Sequence, residues 1–293
     1  MIEPLHHRGP DGEGTSLLKS KNATIGFGHK RLSIIDLNQT GKQPMTLSHL
    51  HITYNGEIYN YQEIKKELLE LGHRFNGKSD TEMILHAYSE WGIKAVERFI
   101  GMFAIALFDE KTQEVVFIRD RAGVKPLFYY QKNDLILFAS ELKSFHEHPK
   151  FEKKLDLNAV AAYMQYGNVP TPHCIFKNCT KIKPGHYLKI NLKNKSQEEV
   201  QYWNVYDFYN KPKLNLSFPE AKIQTKELLK SAFNYRMIAD VPVGVFLSGG
   251  YDSTTVTSLI QAQSTTKVKT FTIGVPDIGL NEAPYARDIA KHL

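Results

Sequence analysis

The chain of 293 residues has two cysteines, no long apolar run and no block of like charge. Each shortage excludes something. Cys174 and Cys179 make one C-x4-C pair with no second pair to complete a zinc site, so they are expected as buried or half-buried free thiols. The longest apolar run, Met102 to Phe108, is strand-sized and far below the roughly 18 residues of a membrane span. Met1 is followed by IEPLHHRGPDG, which has no apolar signal-peptide core, so a cytoplasmic location without a membrane partner is expected. The net charge of +6, from 37 basic and 31 acidic residues, is spread along the chain. It suits weak attraction to anionic substrates and lacks the clustered footprint of a nucleic-acid binder. The length suggests two domains, each able to bury its own core.

The glycine-rich turn of the rear half lacks the lysine and spacing of G-x-x-x-x-G-K-[ST] and has no G-x-G-x-x-G. What is present is VPVGVFLSGGYDSTTV at 241–256. An apolar run, Val243 to Leu247, breaks into Ser248-Gly249-Gly250, then Asp252-Ser253, then the periodic Val256, Leu259 and Ile260, which reads as strand, tight turn and helix. Glycines permit close backbone approach, and the helix N-terminus offers unpaired N–H groups and partial positive charge, a suitable cradle for phosphate. The same letters suit an ordinary Gly-rich connection capped by serine. Asp252 shifts the balance, because an acid inside an anion-binding turn makes sense as a Mg²⁺ ligand.

Ahead of that turn, His7 to Gly12 reads as a loop, and Ala23 to Asp36 alternates well enough for one or two strands, with Arg31 inside. By itself Arg31 reads as a surface or salt-bridged residue. His51 to Tyr54 is a short strand running into Asn55-Gly56-Glu57, and Asn-Gly is the strongest local hairpin signal. Two helices follow. Asn60 with Glu63 and Ser79 with Glu82 read as capping boxes, the first helix carries a stripe of Tyr61, Ile64, Leu68 and Leu71, and Gly72 and Gly92 are the stops. Asp80 in a helical first turn also suits the helix dipole alone. Strands are expected at 102–109, 114–119, 126–131, 135–139 and 187–191. The boundaries expected are a front domain over 1–190, a polar linker over 191–216 and a rear domain over 217–293. The rear domain opens with a helix capped by Ser217, and its strand, helix, strand, helix order argues for a parallel sheet.

Taken together, HRGPDGEG (7–14), HKRLSIIDL (29–37), NGEIYNYQE (55–63), SDTE (79–82), GMFAIALFD (101–109), RDRAGVKPLFYY (119–130) and VPVGVFLSGGYDS (241–253) resemble the glutamine-hydrolysing asparagine synthetases, in order and over nearly the whole chain. The resemblance implies an α+β front domain, the αββα sandwich of class II glutamine amidotransferases, followed by the first part of an α/β parallel-sheet ATP pyrophosphatase domain. It implies release of ammonia from glutamine in front, and ATP-dependent activation of a carboxylate, aspartate in the family, as an acyl-adenylate behind. Carried over by position, Arg31 pairs with the glutamine carboxylate, where a bidentate fork is the reason for arginine. Asn55 and Gly56 form the oxyanion hole. Glu57 and Asp80 bind the rest of glutamine, Asp80 at its ammonium. Leu247 and Ile273 touch the nucleotide, Ser248, Gly249, Gly250 and Ser253 hold pyrophosphate, and Asp252 holds Mg²⁺. The partners implied are glutamine, ATP and a carboxylate acceptor, with a homodimer as the assembly it allows.

The departures from the family pattern are specific. The family's nucleophile is an amino-terminal cysteine some tens of residues ahead of HRGPDG, and Cys174 and Cys179 lie too far along the chain to replace it. On that pattern the chain is expected to lack the nucleophile, the first strand and the second Gly-rich loop of the ATP domain, and to be inactive as a glutaminase by itself. Tyr251 stands where the synthetases carry leucine, and Ala122 where an aromatic is common. Tyr251 keeps open a sugar carboxylate as acceptor, and the missing thiol a binding remnant without turnover. A tRNA-modifying pyrophosphatase is disfavoured by the front domain.

Overall fold

The apolar run at 102–108 becomes an interior strand of a six-stranded sheet in the computed structural model, which describes residues 1–276, 279 and 281–293. Contacts divide the chain into two compact units, Met1–Lys211 and Pro212–Leu293. The front unit carries strands β1 (Gly12–Lys19), β2 (Thr24–Arg31), β3 (Met45–Leu47), β4 (Leu50–Ile58), β5 (Gly101–Asp109), β6 (Glu114–Arg119), β7 (Phe128–Lys132), β8 (Leu135–Ala139), β9 (Cys179–Lys181), β10 (His186–Asn191) and β11 (Gln197–Gln201). Its helices are α1 (Tyr61–Glu70), α2 (Asp80–Trp91), α3 (Leu157–Tyr166) and α4 (Val205–Tyr209). The rear unit carries α5 (Phe218–Tyr235), β12 (Gly244–Phe246), α6 (Tyr251–Gln261), β13 (Lys269–Phe271) and α7 (Ala283–His292).

The large sheet runs β11-β10-β6-β5-β4-β3 with every pairing antiparallel. Its strands β5, β6 and β10 contribute Ala104, Ala106, Phe108, Val115, Phe117, Leu188 and Ile190 to a core shared with Ile25 and Phe27 of β2, and Tyr129, Ile136 and Phe138 pack against it. Two β layers therefore face one another, while α2 packs against β3 and β4. The helix, sheet and sheet layers of the expected sandwich are present. Helix α1 buries Tyr61, Ile64 and Leu68, each worth about 1.5–3 kcal/mol of apolar transfer, while Leu71 stays exposed. Helix α3 buries Ala159 alone.

Local chemistry is overruled in three places. Asn55-Gly56 makes no hairpin: β4 runs straight through it, with Gly56 opposite Phe103 and Glu57 opposite Met102. A Cβ on Gly56, whose φ is +152°, would sit 2.1 Å from the Met102 carbonyl oxygen, so the glycine serves close strand approach. Asn60 does not cap α1 with its side chain. Its amide donates to the Arg98 carbonyl (3.0 Å) and accepts from the Ile100 N–H (2.8 Å), because the neighbouring backbone competes for it. Inside the stretch expected as linker, Gln197–Gln201 pairs antiparallel with β10 and extends the sheet edge. The Ser79 hydroxyl does cap α2, accepting from the Glu82 N–H at 3.2 Å, but the Glu82 carboxylate reaches back beyond Ser79 to the N–H groups of Asn76 (2.7 Å) and Gly77 (2.8 Å).

In the rear unit β12 and β13 pair in parallel, with α6 between them in sequence. The Glu220 carboxylate accepts from the Ser217 N–H at 2.8 Å, completing the expected start of α5.

Candidate functional site

Strand β2 ends at Arg31, β4 carries Asn55, Gly56 and Glu57, and α2 begins at Asp80. All five residues line one cavity of about 950 Å³ in the front unit. The Arg31 guanidinium is aimed by its own following loop: it donates to the carbonyls of Asn38 (2.9 Å) and Asp36. A Cβ on Gly41 would strike Nη2 of Arg31 at 2.1 Å, so that loop needs a glycine where the guanidinium passes. The Asp36 carboxylate ties the loop down, accepting from the Thr40 hydroxyl (2.7 Å) and from the Lys78 N–H just ahead of α2 (3.0 Å). The remaining donors of the Arg31 fork can serve a ligand.

Asp80 is buried, and one of its oxygens accepts from the Tyr54 hydroxyl (2.8 Å) and the Ile58 N–H (3.0 Å). Burial pushes its carboxyl above the ordinary range, against the pull of these two donors. Glu57 is buried beside it, with Oε2 bonded to nothing among the described residues. Burial and then the Asp80 charge drive the Glu57 carboxyl up, and Lys125 on the same cavity wall opposes them. The Asn55 side-chain nitrogen is also buried and has no partner among the described residues. A primary amide without an acceptor costs about 1–3 kcal/mol, which a ligand oxygen would repay. His29 lines the cavity too, and burial, with Arg31 adding, brings its pKa down to about 4, so its ring is neutral at pH 7.

Neither cysteine lines this cavity. Cys174 and Cys179 are free and buried in a cluster with Tyr130, Phe145 and Phe176, where burial pushes both thiols up to about 12.

In the rear unit Leu247 follows β12 and Ile273 follows β13, so the parallel pairing puts both at carboxyl ends of adjacent strands. Leu247 is 1 % exposed and Ile273 is 78 % exposed. Ser248, Gly249 and Gly250 form the turn into α6, with Gly249 at φ +94°. The Ser253 hydroxyl lies 2.9 Å from that of Ser248 and accepts from the Ser248 N–H at 3.2 Å, which folds the turn over the helix start. Asp252 stands in the first turn of α6 and is exposed. Among the described residues no group of three His, Cys, Asp or Glu is placed to hold a metal ion. An exposed carboxylate beside a phosphate cradle still fits Mg²⁺, which takes one or two carboxylates and completes its shell with phosphate oxygens and water.

A sequence profile described as glutamine amidotransferase domain matches residues 1–203. The chain belongs to that family. The glutamine amidotransferase match is followed by a match to the asparagine synthase profile over residues 224–293. The chain is 36 % identical over 317 residues to a putative glutamine-hydrolysing asparagine synthetase 2 of Methanocaldococcus jannaschii, covering 100 % of this chain and 59 % of that protein. It is 36 % identical to asparagine synthetase 3 of Bacillus subtilis, over 88 % of this chain and 41 % of the relative, and 35 % identical to the amidase chry2 of Gibberella zeae, over 88 % and 38 %. The chain thus spans about half the length of the curated relatives it matches. Among solved structures, a glutamine phosphoribosylpyrophosphate amidotransferase of B. subtilis overlays at 18 % identity and a TM-score of 0.48, covering 92 % of this chain and 61 % of that one.

The sequence alone marks no role for Gly41, Tyr54 or Lys125; for Lys125 the available signal is its place in RDRAGVKPLFYY.

Proposed function

We propose that the front unit binds L-glutamine for release of its amide nitrogen, and that the parent protein passes this nitrogen to a carboxylate, aspartate in the simplest case, activated by ATP. The unpartnered Asn55 amide, in one cavity with a fixed guanidinium and two buried carboxyls, carries the reading. The Arg31 fork takes the glutamine α-carboxylate, and Asp80 takes the α-ammonium, whose arrival favours the ionised carboxylate that burial otherwise disfavours. The Asn55 side-chain N–H and the Gly56 main chain are placed to face the amide carbonyl oxygen, where negative charge develops once a nucleophile adds to the carbon; neither cysteine of this chain lines the cavity to supply it. Because β4 fixes Asn55 and Gly56, little reorganisation is needed during reaction.

In the rear unit, the turn Ser248-Gly249-Gly250 and Ser253 take the pyrophosphate of ATP, and Leu247 and Ile273 contact the nucleotide. Asp252 would hold Mg²⁺, which supplies charge neutralisation on the phosphate oxygens. The acceptor carboxylate then forms an acyl-adenylate with loss of pyrophosphate, and ammonia displaces AMP.

Calorimetric titration with L-glutamine tests the front site. Arg31→Ala is expected to weaken binding by about a hundredfold, the ~3 kcal/mol of a charge-assisted contact at a buried site. Binding of equal strength to wild type and Arg31→Ala would refute the assignment.

A further inference from the structure

The loop after β6 is held far more tightly than a connection between two strands requires. Asp120 is 1 % exposed, and its two carboxylate oxygens accept from four main-chain N–H groups: Phe103 of β5 (3.2 Å), Ala122 (3.1 Å), Val124 (2.9 Å) and Lys125 (2.9 Å). Arg119 clamps the same loop from the other side, donating to the carbonyls of Gly123 (2.8 Å), Lys125 (2.9 Å) and Ile182 (2.7 Å). Lys125 is thus fixed at its own N–H and its own carbonyl. Its anchor on β5, Phe103, is the residue opposite Gly56, next to the Glu57 register position. The loop places Lys125 on the cavity wall that Glu57 shares.

From this geometry we infer that Lys125 is a positioning residue for Glu57: fixed on the same cavity wall, its ammonium is the cation set against the Glu57 carboxyl and directs that side chain toward the polar end of an amino-acid substrate. The inference rests on the glutamine reading of the site. Glu57 needs such a partner, since Oε2 has no hydrogen bond among the described residues, and burial and then its acidic neighbour Asp80 disfavour its charge. Lys125 in turn is half-buried, faces Glu57 and Asp120 as its anions, and feels the Arg8 cation. Arg8 is itself paired with Glu141 at 3.0 Å. The other ionisable groups acting on Glu57 and Asp80 are accounted for: Tyr54 donates to Asp80, and the neutral His29 adds no charge. A lysine here carries a compact charge on a stem long enough to reach from an immobile backbone.

Two readouts test this. In the first, L-glutamine binding is measured by calorimetry on wild type, Lys125→Met, Lys125→Arg, Glu57→Gln and the double variant Lys125→Met/Glu57→Gln, with melting curves to confirm folding. Lys125→Met should bind about tenfold more weakly and Lys125→Arg within about threefold of wild type, while the double variant should bind no worse than Glu57→Gln, as expected of two residues acting through one another. Wild-type affinity in Lys125→Met, or losses that multiply in the double variant, would overturn the inference. The second readout needs no ligand. The Glu57 carboxyl ¹³C resonance, identified by its loss in Glu57→Gln, should titrate at higher pH in Lys125→Met than in wild type and return in Lys125→Arg. An unmoved midpoint overturns the inference even if glutamine does not bind. A wild type that ignores glutamine while the midpoint moves refutes the glutamine reading and leaves the pairing of Lys125 with Glu57 standing.

Discussion

Replacing Glu57 with glutamine should make the front unit more stable at neutral and alkaline pH, although it removes a residue of the site. In the folded protein, burial and the Asp80 charge raise the Glu57 carboxyl above the ordinary 4.5. Over the interval between the two values the folded state holds a proton that the unfolded state has released, so stability falls as pH rises. The favourable contribution is complete below about 4.5 and is lost progressively up to the folded-state pKa, at about 1.4 kcal/mol for each unit of pH. Glutamine fills nearly the same volume and does not titrate. The stability difference between Glu57→Gln and wild type should therefore grow with pH, by up to about 4 kcal/mol between pH 5 and pH 8. Asp80 is raised mainly by burial and is present in both proteins. Urea unfolding followed by tryptophan fluorescence is suited to the measurement, because both tryptophans, Trp91 and Trp203, lie in the front unit. A difference that stays flat from pH 5 to pH 8 would show that Glu57 is already ionised without cost, and the electrostatic account of the cavity would fail.

Two further perturbations check the geometry. Gly56→Ala places a methyl group 2.1 Å from the Met102 carbonyl oxygen, which forces β4 and β5 apart and should cost about 3 kcal/mol or more in the same unfolding assay; an undisturbed midpoint would refute the close approach. Asp252→Ala should weaken nucleotide binding in Mg²⁺ far more than in EDTA, measured with a fluorescent ATP analogue, and an equal loss in both would argue against a metal ligand.

Much of the architecture is written in short-range pattern. Glu114–Arg119 and Leu135–Ala139 fall where alternation and turn residues put them, and Ser79 marks the start of α2 by its chemistry alone. Other elements depend on what lies across the fold. Asn55-Gly56 has the composition of a turn, yet nine residues of β4 run through it because β5 pairs along its full length. Asn60 has the composition of a cap, yet it bridges to residues 98 and 100. Helix α3 had both signals available, Asp156 at its start and Gly167 at φ +70° at its end, but its apolar residues are mostly exposed and give no clear stripe. The candidate site divides in the same way. Arg31, Asn55, Gly56, Glu57 and Asp80 stood out through motif resemblance, whereas Lys125 gains meaning only when β4 and the loop after β6 reach the same cavity wall.

The continuous course of β4 makes that strand a ruler. Asn55 and Glu57 are two positions apart, so they project to one side of the sheet, and the count of residues from Leu50 decides which side. One residue inserted before Asn55 would carry both groups through to the opposite face while Arg31 and Asp80 stayed where they are. Changes of identity at the cavity rim alter the site by degrees, but a change of length in β4 dismantles it at once. Variation in length should accordingly gather at exposed turns such as 193–196, whose extension leaves the spacing of the five residues untouched.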